Sequence, residues 1–228
     1  MKHDLVISDP SAVEVRRHFE VFARDFDAVY TGRKSAVGRW LDRTFRKDMF
    51  ERLDRAVAEI AQMGPVTVLD VGCGNGIFSL ALARAGARSV VGVDFSRPMI
   101  DLAVQRAAAS GLSSRCQFLL GDFRLLQFSE PFDCCLAIGV FDYLADPGGF
   151  FAQLRQVTKR KIVATFPYRW TYRAPIRKVR LALKGCPVYF YSFSDVKELL
   201  TSQSATHFTI HRLGHILFVV ADFDSNPQ

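Results

Sequence analysis

The sequence predicts an α/β fold layered around a mostly parallel sheet of about seven strands. Three observations predict it. From Val66 onward, short β-branched runs alternate with helix-like runs, an order that implies βαβ units, a parallel sheet and right-handed crossovers. The chain closes on two runs, "HFTIHRL" and "ILFVVADF", separated only by Gly214-His215, which reads as an antiparallel hairpin. The 228 residues, 49% hydrophobic and 23% charged, have ordinary globular composition and suffice for one domain of this class with some decoration.

The elements follow in order. The first sixty residues read as helical, with Val37, Leu41, Phe45, Met49 and Leu53 recurring every four residues. Asp42–Arg46, Asp48–Arg52 and Glu51–Arg55 form i,i+4 pairs on other faces. "VTVLDV" is the first strand and "GIFSLALARAG" the helix after it. "SVVGVDF" is the second strand. Ser96 is placed to cap a helix with Pro98 in its first turn, running through "MIDLAVQRAAA". "CQFLLGDF" and "FDCCLAIGVF" are the third and fourth strands, "GGFFAQLRQV" the next helix and "KIVATF" the fifth strand. Pro175 opens a further helix with Ile176, Val179 and Leu183 on one face, stopped by Gly185 and Pro187. Ser194 then caps "DVKELLTSQ" before the final hairpin. The expected organisation is one domain over 1–228. It comprises a helical cap (1–62), a ligand-binding core (63–166), a basic insertion (167–192) and a C-terminal helix and hairpin (193–228).

Composition excludes several function classes. No apolar run approaches the ~18 residues that span a membrane, and the start "MKHDLVISDP" lacks the apolar core of a secretory signal. The five cysteines, Cys73, Cys116, Cys134, Cys135 and Cys186, contain no C-x-x-C pair. A disulfide framework and a metal site are therefore not expected, and a reducing cytoplasm fits. His207 and His211 share a strand face, but no third ligand joins them, and with His215 they read as ordinary histidines. The net charge of +7 is concentrated. Between Pro147 and Ser194 stand ten Lys and Arg and no acid, while elsewhere cations do not outnumber acids.

In an open parallel sheet the ligand sits beyond the carboxyl ends of the strands. Four successive strands each deliver an acid there: Asp70, Asp94, Asp122 and Asp142. Gly72, Gly74 and Gly76 follow G-x-G-x-G, and Ile77 stands where a dinucleotide fingerprint needs its last glycine. Asp70 at the mouth of this loop would repel a pyrophosphate and attract a cation. The pattern therefore favours a sulfonium nucleoside, S-adenosylmethionine, over a dinucleotide. Asp94 can accept from a ribose diol, with Phe95 packing on adenine. Asp122 can accept from the adenine amine, with Phe123 covering the ring. Each such acid could equally be a cap or a loop solvator; the combination carries the reading.

The stretches "VLDVGCGNGIFSLALARAGA", "VVGVDFSRPMIDLA", "QFLLGDF" and "FDCCLAIGVFDYL" resemble the successive motifs of class I S-adenosylmethionine-dependent methyltransferases, from about Val66 to Phe166. The resemblance implies a three-layer Rossmann-like sandwich with a seven-stranded, mostly parallel sheet whose last strand is antiparallel. It implies that Asp70 and the Gly72–Gly76 loop line the methionine half. It gives Asp94 the ribose hydroxyls, Asp122 the adenine amine and Ile138 a backbone contact. The layout is also loosely similar to magnesium-protoporphyrin and ubiquinone-pathway O-methyltransferases, without a substrate carried over. Tyr30, in the N-terminal helices, is a further candidate cofactor contact or else a core aromatic.

Methyl transfer from a sulfonium needs alignment of the acceptor and exclusion of water, with a base only where the acceptor must lose a proton. Asp142 and Tyr143, just past the fourth strand, are the catalytic candidates; alternatively they cap the turn and pack. The block "FPYRWTYRAPIRKVRLALKG" interleaves aromatics and arginines. It reads as a solvated helix, a lid that clamps an anionic small molecule through Arg169, Arg173 and Arg177, a nucleic-acid contact, or a membrane-surface attachment. The leading expectation is methylation of a small anionic organic acceptor. An RNA methyltransferase and a non-catalytic cofactor-binding or partner-binding domain are the alternatives. The absence of a [DNS]-PP-[YFW] motif at "GVFDYL" argues against base-amine methylation.

Overall fold

The computed structural model describes residues 36–171, 173–182 and 186–223, together with 15 and 17; for 36–48, 173, 176 and 180 it describes the helix and not the side chains. Helix α1 (Ala36–Ala61) precedes strand β1 (Thr67–Val71), α2 (Ile77–Arg84), β2 (Ser89–Asp94), α3 (Arg97–Ala109) and β3 (Cys116–Leu120). Then come β4 (Phe132–Ala137), α4 (Pro147–Gln156), β5 (Thr158–Pro167), α5 (Arg173–Ala182), α6 (Phe193–Ser202), β6 (His207–Leu213) and β7 (Ile216–Asp222). The strands form one sheet in the order β3-β2-β1-β4-β5-β7-β6. β1 to β5 run parallel, and β7 is antiparallel to both β5 and β6. The fold class expected from the sequence is the one observed.

The side-chain period of a strand explains the layering. Val68, Cys134, Leu136, Val163 and Phe218 face a core shared with Ala56 and Ile60 of α1 and Phe78 and Leu82 of α2. Their neighbours Leu69, Cys135, Ala137, Ile162 and Leu217 face the opposite core with Phe151 and Leu154 of α4 and Val196 and Leu200 of α6. Cys134 and Cys135 thus point to opposite faces, and all five cysteines are buried thiols outside any disulfide. Lys161 fastens α1 to the sheet, bridging Glu59 at 3.0 Å and Asp222 at 3.3 Å. The expected Glu51–Arg55 pair is present at 3.4 Å.

Three local readings are corrected. β5 begins at Thr158, three residues before the expected run, because its polar start pairs with Phe132 across a register shift. Helix α6 is capped by Ser192, not Ser194. The Ser192 hydroxyl accepts from Asp195 N at 3.2 Å, and the Asp195 carboxylate accepts from Ser192 N at 2.8 Å, a reciprocal box that leaves Ser194 in the first turn. Ser96 occupies the N-cap of α3, but its hydroxyl makes no cap bond; its backbone N–H donates to Asp94 instead. The C-terminal hairpin closes as expected, with Leu213 opposite Ile216 around Gly214-His215. No described helix is long and apolar enough to cross a membrane.

Candidate functional site

The sheet order changes direction between β1 and β4, and the crevice there opens at the strands' carboxyl ends. A cavity of about 1270 Å³, counting its open mouth, occupies it. Its walls come from the turns after β1 to β4, from Met49 and Arg52 of α1, and from Arg177 of α5.

The β1 turn crosses to β2, with Gly72 N donating to the Val93 carbonyl at 2.8 Å and Cys73 N to the same oxygen at 3.1 Å. Gly72 has φ +70°, and a Cβ there would lie 2.5 Å from Val140 Cγ2. Only glycine allows both the turn and the wall behind it. Gly72 and Gly74 line the cavity. Gly76 does not; a Cβ there would meet Ala103 Cβ at 2.9 Å, so this glycine lets α2 pack against α3. Of the three glycines, Gly72 and Gly74 are thus on the cavity wall and Gly76 is at the helix contact.

Asp94 is one of three carboxylates that line the cavity, with Asp122 and Asp142. Its Oδ2 accepts from Gly74 N at 2.9 Å and its Oδ1 from Ser96 N at 2.8 Å. The Phe95 backbone N–H is a third donor to this carboxylate, which can still accept from a diol. Burial raises its pKa from 3.8 to about 6, against the backbone bonds that lower it. Asp70 is placed differently from the sequence reading. It is 2% exposed, lies under the loop outside the cavity lining, and accepts from the Ser79 hydroxyl at 2.6 Å. Burial raises its pKa to about 6 as well, opposed by the Ser79 bond and reinforced by the Asp94 charge.

Asp122 and Phe123 line the cavity beyond β3. The Asp122 carboxylate caps the short 3-10 turn Phe123–Leu125 through Arg124 N at 3.0 Å. It also receives Arg124 Nε at 3.1 Å and Nη2 at 2.9 Å. Cap and cavity-facing acid are therefore one residue. Phe123 packs edge-on to Phe150 at 5.4 Å, and Phe95 and Ile138 complete this apolar wall. Tyr30 lies outside the described residues.

On the same cavity wall, Asp142 is 7% exposed and sits in the 3-10 turn Phe141–Tyr143 after β4. Arg177 Nη2 donates to Asp142 Oδ2 at 2.5 Å and reaches the Tyr143 hydroxyl at 3.4 Å. The Asp142 carbonyl accepts from Tyr189 N at 2.8 Å. Burial pulls the Arg177 pKa down, and the Asp142 charge more than offsets it, so the guanidinium stays charged. Burial drives the Tyr143 pKa up to about 12, against the Arg177 charge, so the phenol stays protonated at neutral pH. Of the three expected anion-binding arginines, Arg177 reaches the cavity. Arg169 does not; its side chain is 51% exposed and pairs with Asp195 at 3.1 Å. The Arg173 side chain lies outside those described.

Sequence reasoning missed Met49, Arg52, Met99 and Arg124, all of which line the cavity. Arg124, two residues after a strand-end acid, was the readable one: Asp-x-Arg at a turn favours a short-range carboxylate–guanidinium pair.

Residues 68–161 match the methyltransferase domain family. The chain is 33% identical over 114 residues to a ubiquinone biosynthesis O-methyltransferase of Caulobacter vibrioides, covering 50% of this chain and 45% of that one. It is 49% identical over 67 residues to a cypemycin N-terminal methyltransferase of a Streptomyces species, covering 29% and 25%. The chain thus spans less than half the length of these relatives. Among solved structures it is similar to magnesium protoporphyrin IX methyltransferase from Synechocystis PCC 6803 with bound SAH. That TM-score is 0.76 at 20% identity, over 92% of this chain and 99% of that one, a likeness of fold.

Proposed function

On the premise that the chain carries a methyltransferase domain over residues 68–161, we propose that it moves a methyl group from S-adenosylmethionine to a small anionic organic acceptor. The observation that carries this is that one cavity is lined by two kinds of group. One set is Asp94 and Asp122 with apolar side chains and glycine backbone; the other is Arg177 held by Asp142 and Tyr143.

The first set fits the cofactor. Asp94 offers paired acceptors to a ribose, Phe95 and Phe123 offer apolar faces to a purine, and Gly72 and Gly74 let backbone approach closely. A pyrophosphate is disfavoured by the two carboxylates bracketing the loop, Asp70 beneath and Asp94 beside it. S-adenosylmethionine, when bound, supplies an activated methyl group on a sulfonium. The chain's own contribution is to hold and align. Alignment of two reactants is worth ~7–11 kcal/mol. Met99, Phe123 and Phe150 line the cavity and limit water.

The second set supports the choice of acceptor class. Asp142 is committed to Arg177 and Tyr143 is protonated, so neither is an idle base at rest. A base adds ~10²–10⁴-fold where a proton must leave, and an acceptor that is already anionic needs none. Arg177 then anchors the acceptor, with Asp142 and Tyr143 fixing the guanidinium. The test is a labelled-methyl screen of anionic metabolites and of RNA, with wild type and Arg177→Gln. The expected result is label on an anionic small molecule, with KM for it raised at least about tenfold in the variant. Label on RNA alone, or an unchanged KM, overturns the reading.

A further inference from the structure

The outward side of α5 is unlike an ordinary solvated helix. Among the described side chains of α5, Pro175, Lys178, Val179 and Ala182 are the exposed ones. They fall at i, i+3, i+4 and i+7 and therefore form one face. Three of the four are apolar, and Val179 is 61% exposed. Ala174, Arg177 and Leu181 take the opposite side, where Leu181 packs with Val15, Cys186 and Val188 and Arg177 meets the cavity. Trp170, just before the helix, is 69% exposed.

The sequence around this face carries formal charge of one sign. From 168 to 192 the sequence has six Lys and Arg and no Asp or Glu. Arg169 and Arg177 are matched by acids from outside that stretch, Asp195 and Asp142. Lys178 is exposed on the face itself.

We propose that the α5 face and Trp170 dock on an anionic lipid surface. Exposed aliphatic side chains beside lysine, with an interfacial tryptophan, match the boundary between acyl chains and acidic headgroups. A second copy of the chain fits poorly, since two acid-free faces repel. A nucleic acid would use the cations and Trp170, but Val179 and Ala182 offer nothing to a phosphate backbone. The inner side of the same helix supplies Arg177, so docking sets the cavity wall next to the membrane interface. The proposal concerns binding and does not rest on the acceptor assigned above.

The experiment is co-sedimentation of the full chain with vesicles, either pure phosphatidylcholine or an equal mixture of phosphatidylcholine and phosphatidylglycerol. Wild type is compared with Val179→Asp, Lys178→Glu and Trp170→Phe, each checked for wild-type circular dichroism. Wild type is expected to bind the mixed vesicles, to bind neutral ones at least about tenfold less, and to weaken with added salt. Val179→Asp is expected to lose binding at least about tenfold and Lys178→Glu about fivefold or more. Part of the tryptophan emission is expected to shift to the blue on binding in wild type and not in Trp170→Phe. Absence of sedimentation overturns the proposal. So does equal binding by wild type and Val179→Asp, or binding of single-stranded RNA that Val179→Asp leaves intact and that displaces the vesicles.

Discussion

Two groups of residues on the cavity wall are built by different means. The group proposed for the cofactor is stitched from backbone and near neighbours: Gly72 N to Val93, Gly74 N and Ser96 N to Asp94, and Asp122 to Arg124 two residues on. The group proposed for the acceptor joins distant segments, with the Arg177 side chain reaching Asp142 35 residues away and Tyr189 N closing on the Asp142 carbonyl. The difference teaches where change is tolerated. Backbone bonds within the turns hold the first group whatever acceptor is used. The second depends on where α5 lies, and a different insertion would present a different side chain to the same methyl donor.

The predictions separate the two groups. The largest effect is expected at Gly72→Val. Its Cβ would fall 2.5 Å from Val140 Cγ2 at a positive φ, so the turn must move. S-adenosylmethionine affinity is expected to drop at least about 100-fold by calorimetry, with ~1–3 kcal/mol of stability lost. Wild-type affinity would mean that the turn does not face the ligand.

Next comes Arg177→Gln. It leaves the buried Asp142 without its guanidinium, at a cost of about 1–3 kcal/mol once the partial exposure of Arg177 is allowed for. Its S-adenosylmethionine affinity is expected to stay within about threefold of wild type while KM for the acceptor rises. Loss of cofactor affinity in this variant would erase the division between the groups.

A smaller effect is expected from pH. Asp70 and Asp94 have pKa values raised from 3.8 to about 6. The folded state therefore holds more protons than the unfolded one between these values, and stability falls as pH rises from about 4 to 6. Cofactor affinity runs the other way. Below about pH 6 Asp94 takes up a proton and loses an acceptor site, so binding weakens on acidification. Chemical denaturation and calorimetry at pH 5 and 7 check both signs; opposite signs contradict the assignment.

The smallest effect is expected at Asp70→Asn. Asparagine still accepts from the Ser79 hydroxyl, and the position is outside the cavity lining. Cofactor affinity is expected to fall far less than in an Asp94 variant, and the loss of stability between pH 5 and 7 to shrink. An equal loss of affinity at both positions would return Asp70 to the site.

Most of the fold was legible because strand alternation, helix punctuation and the Gly-His hairpin are local signals. The residues proposed for the cofactor could be picked out as candidates too, since these acids and glycines stand at strand ends. Asp70 shows the limit of that rule. A strand-end acid can turn under the loop when a helix hydroxyl, here that of Ser79, lies within reach, and sequence spacing does not tell the two cases apart. Gly76 similarly serves helix packing, a contact with Ala103 that depends on where α3 lies. The residues proposed for the acceptor were least legible. Arg169 and Arg177 look alike in the block, and only the fold sends one to Asp195 and the other to Asp142.

The central claim is that this cavity takes S-adenosylmethionine through Asp94. Titrating the compound into wild type and Asp94→Ala by calorimetry, with NAD as a control, tests it most directly. The account predicts saturable binding by wild type, a loss of at least about 30-fold in a variant that keeps its circular dichroism, and no heat from NAD. Unchanged affinity in Asp94→Ala, or binding of NAD by wild type, would contradict it.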